Sequence, residues 1–289
     1  MSETALGIIA GGGELPLAIA DASVAAGRKV FVVGIEGLVQ ADDLKPYAHG
    51  FAALGEVGKA IRLLKEAGCG EVTLAGRVSR PNWSGLKLDA RGALALPSVI
   101  SAAMKGDDAL LRTMVGIFEK EGLRVIGSGE AARELLAPIG VFGAIKPSED
   151  DHEDIALGLK VVRAMGALDI GQAASVCKGL VLAVEAAEGT DAMLSRIAML
   201  PQALRGTAGE RRGVLVKAPK PNQERRVDLP VIGVATVELV MNAGLAGIAV
   251  EAGATLIMNK RAMVEKANRH GVFLFGFEPN AYSNGTAQK

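Results

Sequence analysis

Several polar residues in the second half of this chain stand in apolar or glycine-bounded text, where a charge needs a reason. Asp169 and Gln172 fall in LDIGQ, and Glu185, Glu188, Thr190 and Asp191 fall in VEAAEGTDAML. Lys217, Gln223, Arg226 and Asp228 follow in KAPKPNQERRVDLPVIG. Carboxylates gathered in this way are oxygen ligands of the kind that a hard divalent ion, Mg²⁺ or Mn²⁺, takes together with water and substrate phosphates. Lys217 and Arg226 would then offset remaining phosphate charge and bind phosphate oxygens. Asp228 is the sharpest candidate, because RVDLP opens into the apolar run VIGVA, and α/β proteins tend to bind ligands at strand mouths. A structural reading competes with this one, with Asp191 as a helix cap and the others as solvated turns. Taken singly each residue fits either reading; taken together they favour a site.

A second candidate lies at the start of the chain, where IIAGGGELP reads as strand, glycine turn and helix start. Glycines let backbone N–H groups approach a phosphate while a helix N-terminus supplies partial positive charge. Against the dinucleotide pattern GxGxxG, Gly11 and Gly13 match but Pro16 occupies the third position. Glu36, 23 residues after Gly13, stands where a nicotinamide enzyme holds its ribose. The alternative is that Gly11, Gly12 and Gly13 only make a tight turn. Neither GxxxxGK[ST] nor GxSxG occurs, and His49, His152 and His270 are scattered and read as surface residues. Asp107 in KGDDALL reads first as a helix cap, with Asp108 in the first turn where its charge suits the dipole.

Elements able to position these residues are legible from the pattern. At about 150 residues per domain, the 289 residues suggest two domains. Hydrophobic residues at 49% and charged residues at 22% exclude wholesale disorder. Lys plus Arg equals Asp plus Glu at 32 each, and aromatic residues are 3%. That leaves neither a positive field nor stacking platforms for nucleic acid. Cys69 and Cys177 are 108 positions apart with no CxxC, which points to a reduced, cytoplasmic setting. No apolar run reaches about 18 residues, and the N-terminus does not read as a signal peptide.

Residues 1–135 alternate short β-rich runs with helical ones, predicting a domain with a mainly parallel sheet. Strands are expected at Leu6 to Ala10, Lys29 to Ile35, Glu71 to Ala75 and Arg124 to Ile126. Helices are expected from Pro16 to Gly27, Val57 to Ala67, Leu94 to Lys105 and Asp107 to Lys120. Residues 136–148, rich in Gly and Pro, read as a linker, residues 149–280 as a second α/β domain, and residues 281–289 as a frayed tail. In the second domain a helix to about Met165 precedes strands at Ala174 to Cys177, Leu180 to Glu185, Gly213 to Lys217 and Val231 to Ala235. Further strands follow at Gly247 to Val250, Thr255 to Met258 and Val272 to Phe275. GLVLAVEA at 179–186 and GLAGIAVEAG at 244–253 echo one another.

The segments AGRVSRP, KGDDALL, LDIGQ, GLVLAVEAAEGTDAML and KAPKPNQERRVDLPVIGVATV, in this order, resemble the LpxI family, the UDP-2,3-diacylglucosamine pyrophosphatases of lipid A biosynthesis. The resemblance runs from IIAGGGELP to about residue 278. It implies a metal-dependent hydrolase that yields UMP and 2,3-diacylglucosamine 1-phosphate, called lipid X, by water attack on the α-phosphorus. It implies an N-terminal Rossmann-like domain, a C-terminal α/β domain and an active-site cleft between them. The family's essential aspartate matches Asp228, as metal ligand or general base, with Glu185, Glu188 and Asp191 as further candidate ligands of Mg²⁺ or Mn²⁺. Lys217, Arg226, Gln223, Gln172, Thr190 and Asp107 are then candidates for binding substrate, and Gly11, Gly12 and Gly13 with Arg77 and Ser79 for holding nucleotide or sugar phosphate. A lipid-linked UDP-sugar implies transient contact with the cytoplasmic face of the inner membrane; a homo-oligomer is compatible with all of this. Two other readings stay open. One is an NAD(P)-dependent oxidoreductase resting on Gly11, Gly13 and Glu36; the other is a non-enzymatic module that binds a sugar nucleotide or lipid.

Overall fold

The structure, a computed structural model, describes residues 4–78, 82–221, 229–278, 280 and 282, without the side chains of Ser84 and Asp107. The described residues divide into two compact units, the first ending at Glu134 and the second beginning at Leu135.

In the first unit β1 (Ala5–Ala10), α1 (Leu15–Ala25), β2 (Val30–Ile35), α2 (Ala41–Leu44), β3 (Ala48–Ala52), α3 (Val57–Glu66) and β4 (Cys69–Ala75) follow in turn. Then come α4 (Ala90–Ala103), α5 (Asp107–Lys120), β5 (Arg124–Val125) and α6 (Ser128–Ala131). The strands form one parallel sheet in the order β3-β2-β1-β4-β5. β1 therefore lies at the centre, and the chain winds outward first to one side and then to the other. Such a reversal leaves a crevice at the carboxyl ends of the strands where it occurs, here β1 and β4. Val57, Ala60, Ile61 and Leu64 recur at helical spacing on α3 and pack with Val72, Val115, Phe118 and Val125 against the sheet. β3 was not anticipated: AHGFA has weak strand propensity, and its place is set by pairing with β2 from Phe31↔Ala48 to Ile35↔Ala52.

The second unit runs β6 (Gly140–Val141), α7 (Glu149–Ala167), β7 (Ala173–Cys177), β8 (Leu180–Val184), α8 (Gly189–Ala198) and β9 (Val214–Lys217). β10 (Val231–Ile232), α9 (Val234–Asn242), β11 (Gly247–Glu251), β12 (Leu256–Ile257), α10 (Lys260–Arg269) and β13 (Phe273–Phe277) complete it. Six strands make a mixed sheet in the order β6-β13-β11-β9-β7-β8, and β10 and β12 pair separately. β9, β11 and β13 are parallel, whereas β7 is antiparallel to both β9 and β8. Both units are thus α/β. Residues 136–148, read as a linker, are bonded into the second unit: β6 pairs with β13, and the Ala137 N–H donates to the Thr255 carbonyl at 2.8 Å.

The acidic run Glu149, Asp150, Asp151 is the first turn of α7, where carboxylates suit the helix dipole. Ser148 and Asp151 close a reciprocal capping box, the Asp151 N–H donating to Ser148 Oγ at 3.2 Å and the Ser148 N–H to Asp151 Oδ2 at 2.8 Å. Ile155, Leu159 and Val162 of α7 cover one face of the sheet with Val214, Val216 and Ala249. Met193 and Leu194 of α8, Val237 and Val240 of α9, and Met263 of α10 cover the other with Leu215, Ile248 and Val250. Leu159 is 1% exposed, so truncation to Ala would cost about 2–5 kcal/mol. Alternation along β9 therefore sends Val214 and Val216 toward α7, and Leu215 and Lys217 toward the other helical layer.

The strand expected at Val231 to Ala235 stops at Ile232. Gly233 interrupts it, its N–H donates to Thr236 Oγ1 at 3.2 Å, and the β-branched residues that follow enter α9 instead. Tyr282, within the stretch expected to fray, is buried, and its hydroxyl lies 2.7 Å from His152 Nδ1. Among the described residues no helix is long and apolar enough to cross a membrane.

Candidate functional site

Four of the sequence-selected residues meet in the second unit. Gln172 precedes β7, Glu185 follows β8, Thr190 lies in the first turn of α8, and Lys217 ends β9. The strands bring them together: Ala173 pairs with Lys217, the Glu185 N–H donates to the Ala173 carbonyl at 2.9 Å, and the Ala218 N–H to the Gln172 carbonyl at 3.1 Å. Gly171 permits the close approach, since a Cβ there would lie 2.2 Å from the Glu185 carbonyl oxygen. The Gln172 N–H donates to Glu185 Oε2 at 3.0 Å, and Thr190 Oγ1 donates to Glu185 Oε1 at 2.7 Å. Lys217 Nζ donates to Thr190 Oγ1 at 2.9 Å and to the Val231 carbonyl at 3.2 Å. Glu185, Thr190 and Lys217 are only 6–8% exposed. The Gln172 side-chain oxygen is also shielded, and has no hydrogen-bond partner among the described residues. A buried ammonium and a shielded carbonyl oxygen without a partner are each a feature met in polar ligand sites.

The candidate metal ligands do not converge. Glu185 has both oxygens engaged by protein donors. Glu188 pairs with Arg196 at 2.6 Å, and its own backbone N–H together with Arg196 holds its carboxyl below the ordinary value. Asp191 is exposed on the first turn of α8; it stands inside the helix and is not the capping residue. Among the described residues no group of three His, Cys, Asp or Glu side chains is arranged to hold a metal ion. These three carboxylates are thus not gathered into one ligand set among the described residues. Asp228, Arg226, Gln223 and Ser79 lie outside the described residues, as does the side chain of Asp107. Asp169, at φ +57°, pairs with Lys220 at 2.6 Å and so closes the turn after α7.

In the first unit the glycine loop is tied to the loop after β4. The Gly11 N–H donates to the Ala75 carbonyl at 2.8 Å, the Gly12 N–H to the Arg77 carbonyl at 2.9 Å, and the Arg77 N–H back to the Gly12 carbonyl at 2.7 Å. An anion at this loop would have to be met by amides from Gly13 onward. Gly11 itself is required by packing, because a Cβ there would lie 2.8 Å from the Arg77 carbonyl oxygen. Glu14 occupies the N-cap of α1, which puts an acidic residue where a phosphate would arrive. Arg77 is exposed beside this loop. Glu36, the ribose-holding candidate of the nicotinamide reading, faces Lys59 at 3.6 Å. Cys69 and Cys177 are both free and buried, and burial pushes the Cys69 thiol up to about 11, so neither is set up as a nucleophile.

Sequence reasoning missed two features near the cluster. The Val231 carbonyl that receives Lys217 is backbone and carries no residue-type signal. Glu251, 4% exposed at the end of β11, is one residue beyond the Val250↔Lys217 pair. The echo of VEA at the ends of β8 and β11 was its signal, since a buried glutamate directly follows β8 and another ends β11.

Residues 5–135 match the family model described as the LpxI N-terminal domain, and residues 138–275 match that of the LpxI C-terminal domain. A relative from Caulobacter vibrioides, named UDP-2,3-diacylglucosamine pyrophosphatase LpxI, is 50% identical over 274 residues, covering 95% of this chain and 98% of its own. With both of its units matched in order and nearly the whole length shared, the chain belongs to the LpxI family.

Proposed function

We propose that this chain hydrolyses the pyrophosphate of UDP-2,3-diacylglucosamine to UMP and 2,3-diacylglucosamine 1-phosphate, a step of lipid A biosynthesis. The observation that carries the reading is the 50% identity, over almost the whole of both chains, to a relative bearing that name. In the proposed reaction the oxygen of water bonds to the α-phosphorus, the bond from that phosphorus to the bridging oxygen breaks, and the sugar 1-phosphate leaves with the electron pair. The water proton passes to a base, a role for which Asp228 is the motif candidate. Such a displacement depends on charge neutralisation and on an aligned water more than on a strong nucleophile. The buried Lys217 ammonium supports this reading as the cation for a phosphate oxygen. Dependence on Mg²⁺ or Mn²⁺ is part of the proposal, and the carboxylates described above leave its ligands to be found by experiment.

The test is release of UMP by the purified protein with Mg²⁺, with EDTA, and with Asp228→Ala beside the wild type. Turnover that requires both metal and Asp228 is expected. No UMP from folded wild-type protein under any of these conditions would overturn the reading. Turnover in H₂¹⁸O locates the attack: label in UMP supports the α-phosphorus, and label in the sugar phosphate refutes it. The two acyl chains of the substrate bring transient contact with the inner-membrane surface into the proposal. Flotation with liposomes checks it, and protein that stays wholly in the soluble fraction with substrate present counts against it.

A further inference from the structure

We infer that Glu185 is a positioning residue that acts through the Thr190 hydroxyl on the Lys217 ammonium, and is not a metal ligand; the inference rests on the hydrolase reading above. Its basis is the direction of the hydrogen bonds. A carboxylate only accepts, an ammonium only donates, and a threonine hydroxyl has a single proton to give. With Glu185 Oε1 at 2.7 Å and Lys217 Nζ at 2.9 Å, the Thr190 proton must go to Glu185 and the Thr190 oxygen must accept from Lys217. The other Glu185 oxygen is fixed by the Gln172 backbone N–H at 3.0 Å, so the carboxylate cannot turn without losing that bond. The polarity of the chain from Lys217 through Thr190 to Glu185 is therefore single-valued.

Burial makes that polarity consequential. All three side chains are shielded from water, where hydrogen bonds strengthen one another and a misdirected donor is costly. Thr190 Oγ1 and the Val231 carbonyl give the ammonium two fixed acceptors from two different elements. Sequence supplies the reach: Glu185 leaves β8, and four residues of loop and helix start return Thr190 to it on α8. Exchange of Glu185 for Gln leaves one oxygen for the fixed Gln172 N–H and turns an NH₂ group toward Thr190. The Thr190 proton then loses its acceptor, and its oxygen must accept from two donors at once, which weakens its hold on Lys217.

The experiment compares wild type, Thr190→Ser, Thr190→Val, Glu185→Gln and the double variant Glu185→Gln/Thr190→Val in UMP release, reading kcat, KM and the Mg²⁺ concentration for half-maximal rate. Thr190→Val and Glu185→Gln are each expected to lower kcat by about 10- to 100-fold with little change in KM. Thr190→Ser should stay near wild type, because it keeps the hydroxyl. The double variant should be no worse than Thr190→Val alone, because the carboxylate acts through the hydroxyl. Half-saturation by Mg²⁺ should be unchanged in Glu185→Gln. A large rise in that concentration for Glu185→Gln but not for Thr190→Val would make Glu185 a ligand and overturn the inference. So would full kcat in folded Thr190→Val, the result expected of a merely structural hydroxyl. Thr190→Ser against Thr190→Val decides the matter if Glu185→Gln does not fold. Wild-type protein that releases no UMP overturns the hydrolase reading itself, whereas active wild type with unimpaired Thr190→Val overturns only the positioning role.

Discussion

Substitution of Gly76 by Ala tests how the loop after β1 is held against the loop after β4. Gly76 has φ +92°, and a Cβ there would lie 2.7 and 2.8 Å from the carbonyl carbon and oxygen of Gly11 and 2.9 Å from the oxygen of Gly12. The left-handed conformation costs a residue with a side chain about 1–3 kcal/mol. Relieving the clash means separating the loops by about 0.7 Å, given ordinary contact from 3.4 Å, which stretches both Gly12–Arg77 backbone bonds, at 2.9 and 2.7 Å. At about 0.5–1.5 kcal/mol per bond the clash adds about 1–3 kcal/mol. Gly76→Ala should therefore lose about 2–6 kcal/mol. Two controls separate the contributions. Gly13, at φ +95°, has nothing within 4 Å of an added Cβ, so Gly13→Ala carries the strain alone. Gly11→Ala meets the Arg77 carbonyl oxygen at 2.8 Å and carries the clash alone. The two losses should add up to roughly that of Gly76→Ala. Urea unfolding followed by the fluorescence of Trp83, the single tryptophan of the chain, reports on the first unit by itself. A Gly76→Ala protein no less stable than Gly13→Ala would show that the two loops do not press together, and would refute the account of Gly11 as a packing residue.

Other expectations follow from the polar contacts of the same unit. Asp89 accepts the Gly92 N–H of α4 on Oδ1 at 2.7 Å and the Lys59 N–H of α3 on Oδ2 at 2.8 Å, so one carboxylate serves the N-termini of two helices. Asp89→Ala should lose about 1–4 kcal/mol, two caps of about 0.5–2 kcal/mol each, and Asp89→Asn about half as much, as measured by urea midpoints. For Glu56, the Lys87 ammonium and the Ala53 amide hold the carboxyl down at about 2 against an ordinary 4.5. A folded-state value below the unfolded one gives stability that is present above pH 4.5 and lost as the pH falls toward 2. Glu56→Gln should thus be less stable than wild type at pH 6, with a gap that narrows below pH 4.5 and closes toward pH 2, and a gap that is constant with pH would refute the assignment.

How far the sequence carries depends on whether an element is specified locally or by its partners. The strands β1, β2, β4 and β9 and the helices α3, α5 and α7 show their own periodicity, α7 its own cap as well, and they stand close to where the pattern puts them. β3 and β6 do not; AHGFA and GV become strands because β2 and β13 offer them an edge. The VIGVA run fails in the opposite direction, since β-branched residues that read as strand are taken into α9 once Gly233 and Thr236 start a helix. Residue type picked out Gln172, Glu185, Thr190 and Lys217, which the fold of the second unit brings together. It could not say which acceptor each donor would find.

That limit leaves a carboxylate-rich text open to several readings. An Asp or Glu in apolar surroundings must be compensated, and a divalent ion, an arginine, a backbone amide and a hydroxyl all serve. Here the compensation is divided: Glu188 takes Arg196, Asp154 takes the Lys178 and Gly179 amides of the β7–β8 turn, and Glu185 takes Gln172 and Thr190. Of these only Glu185 is bonded through a second side chain to a buried cation, which turns a compensated charge into one that can fix where another charge stands. Burial of Asp154 pushes its carboxyl above the ordinary value although both amides pull it down, which fits an anchor of a turn. The separation of roles therefore follows from the donors that each carboxylate meets, and those donors are set by strand register: a shift of one residue between β7 and β9 would move Lys217 to the α7 face and away from Thr190.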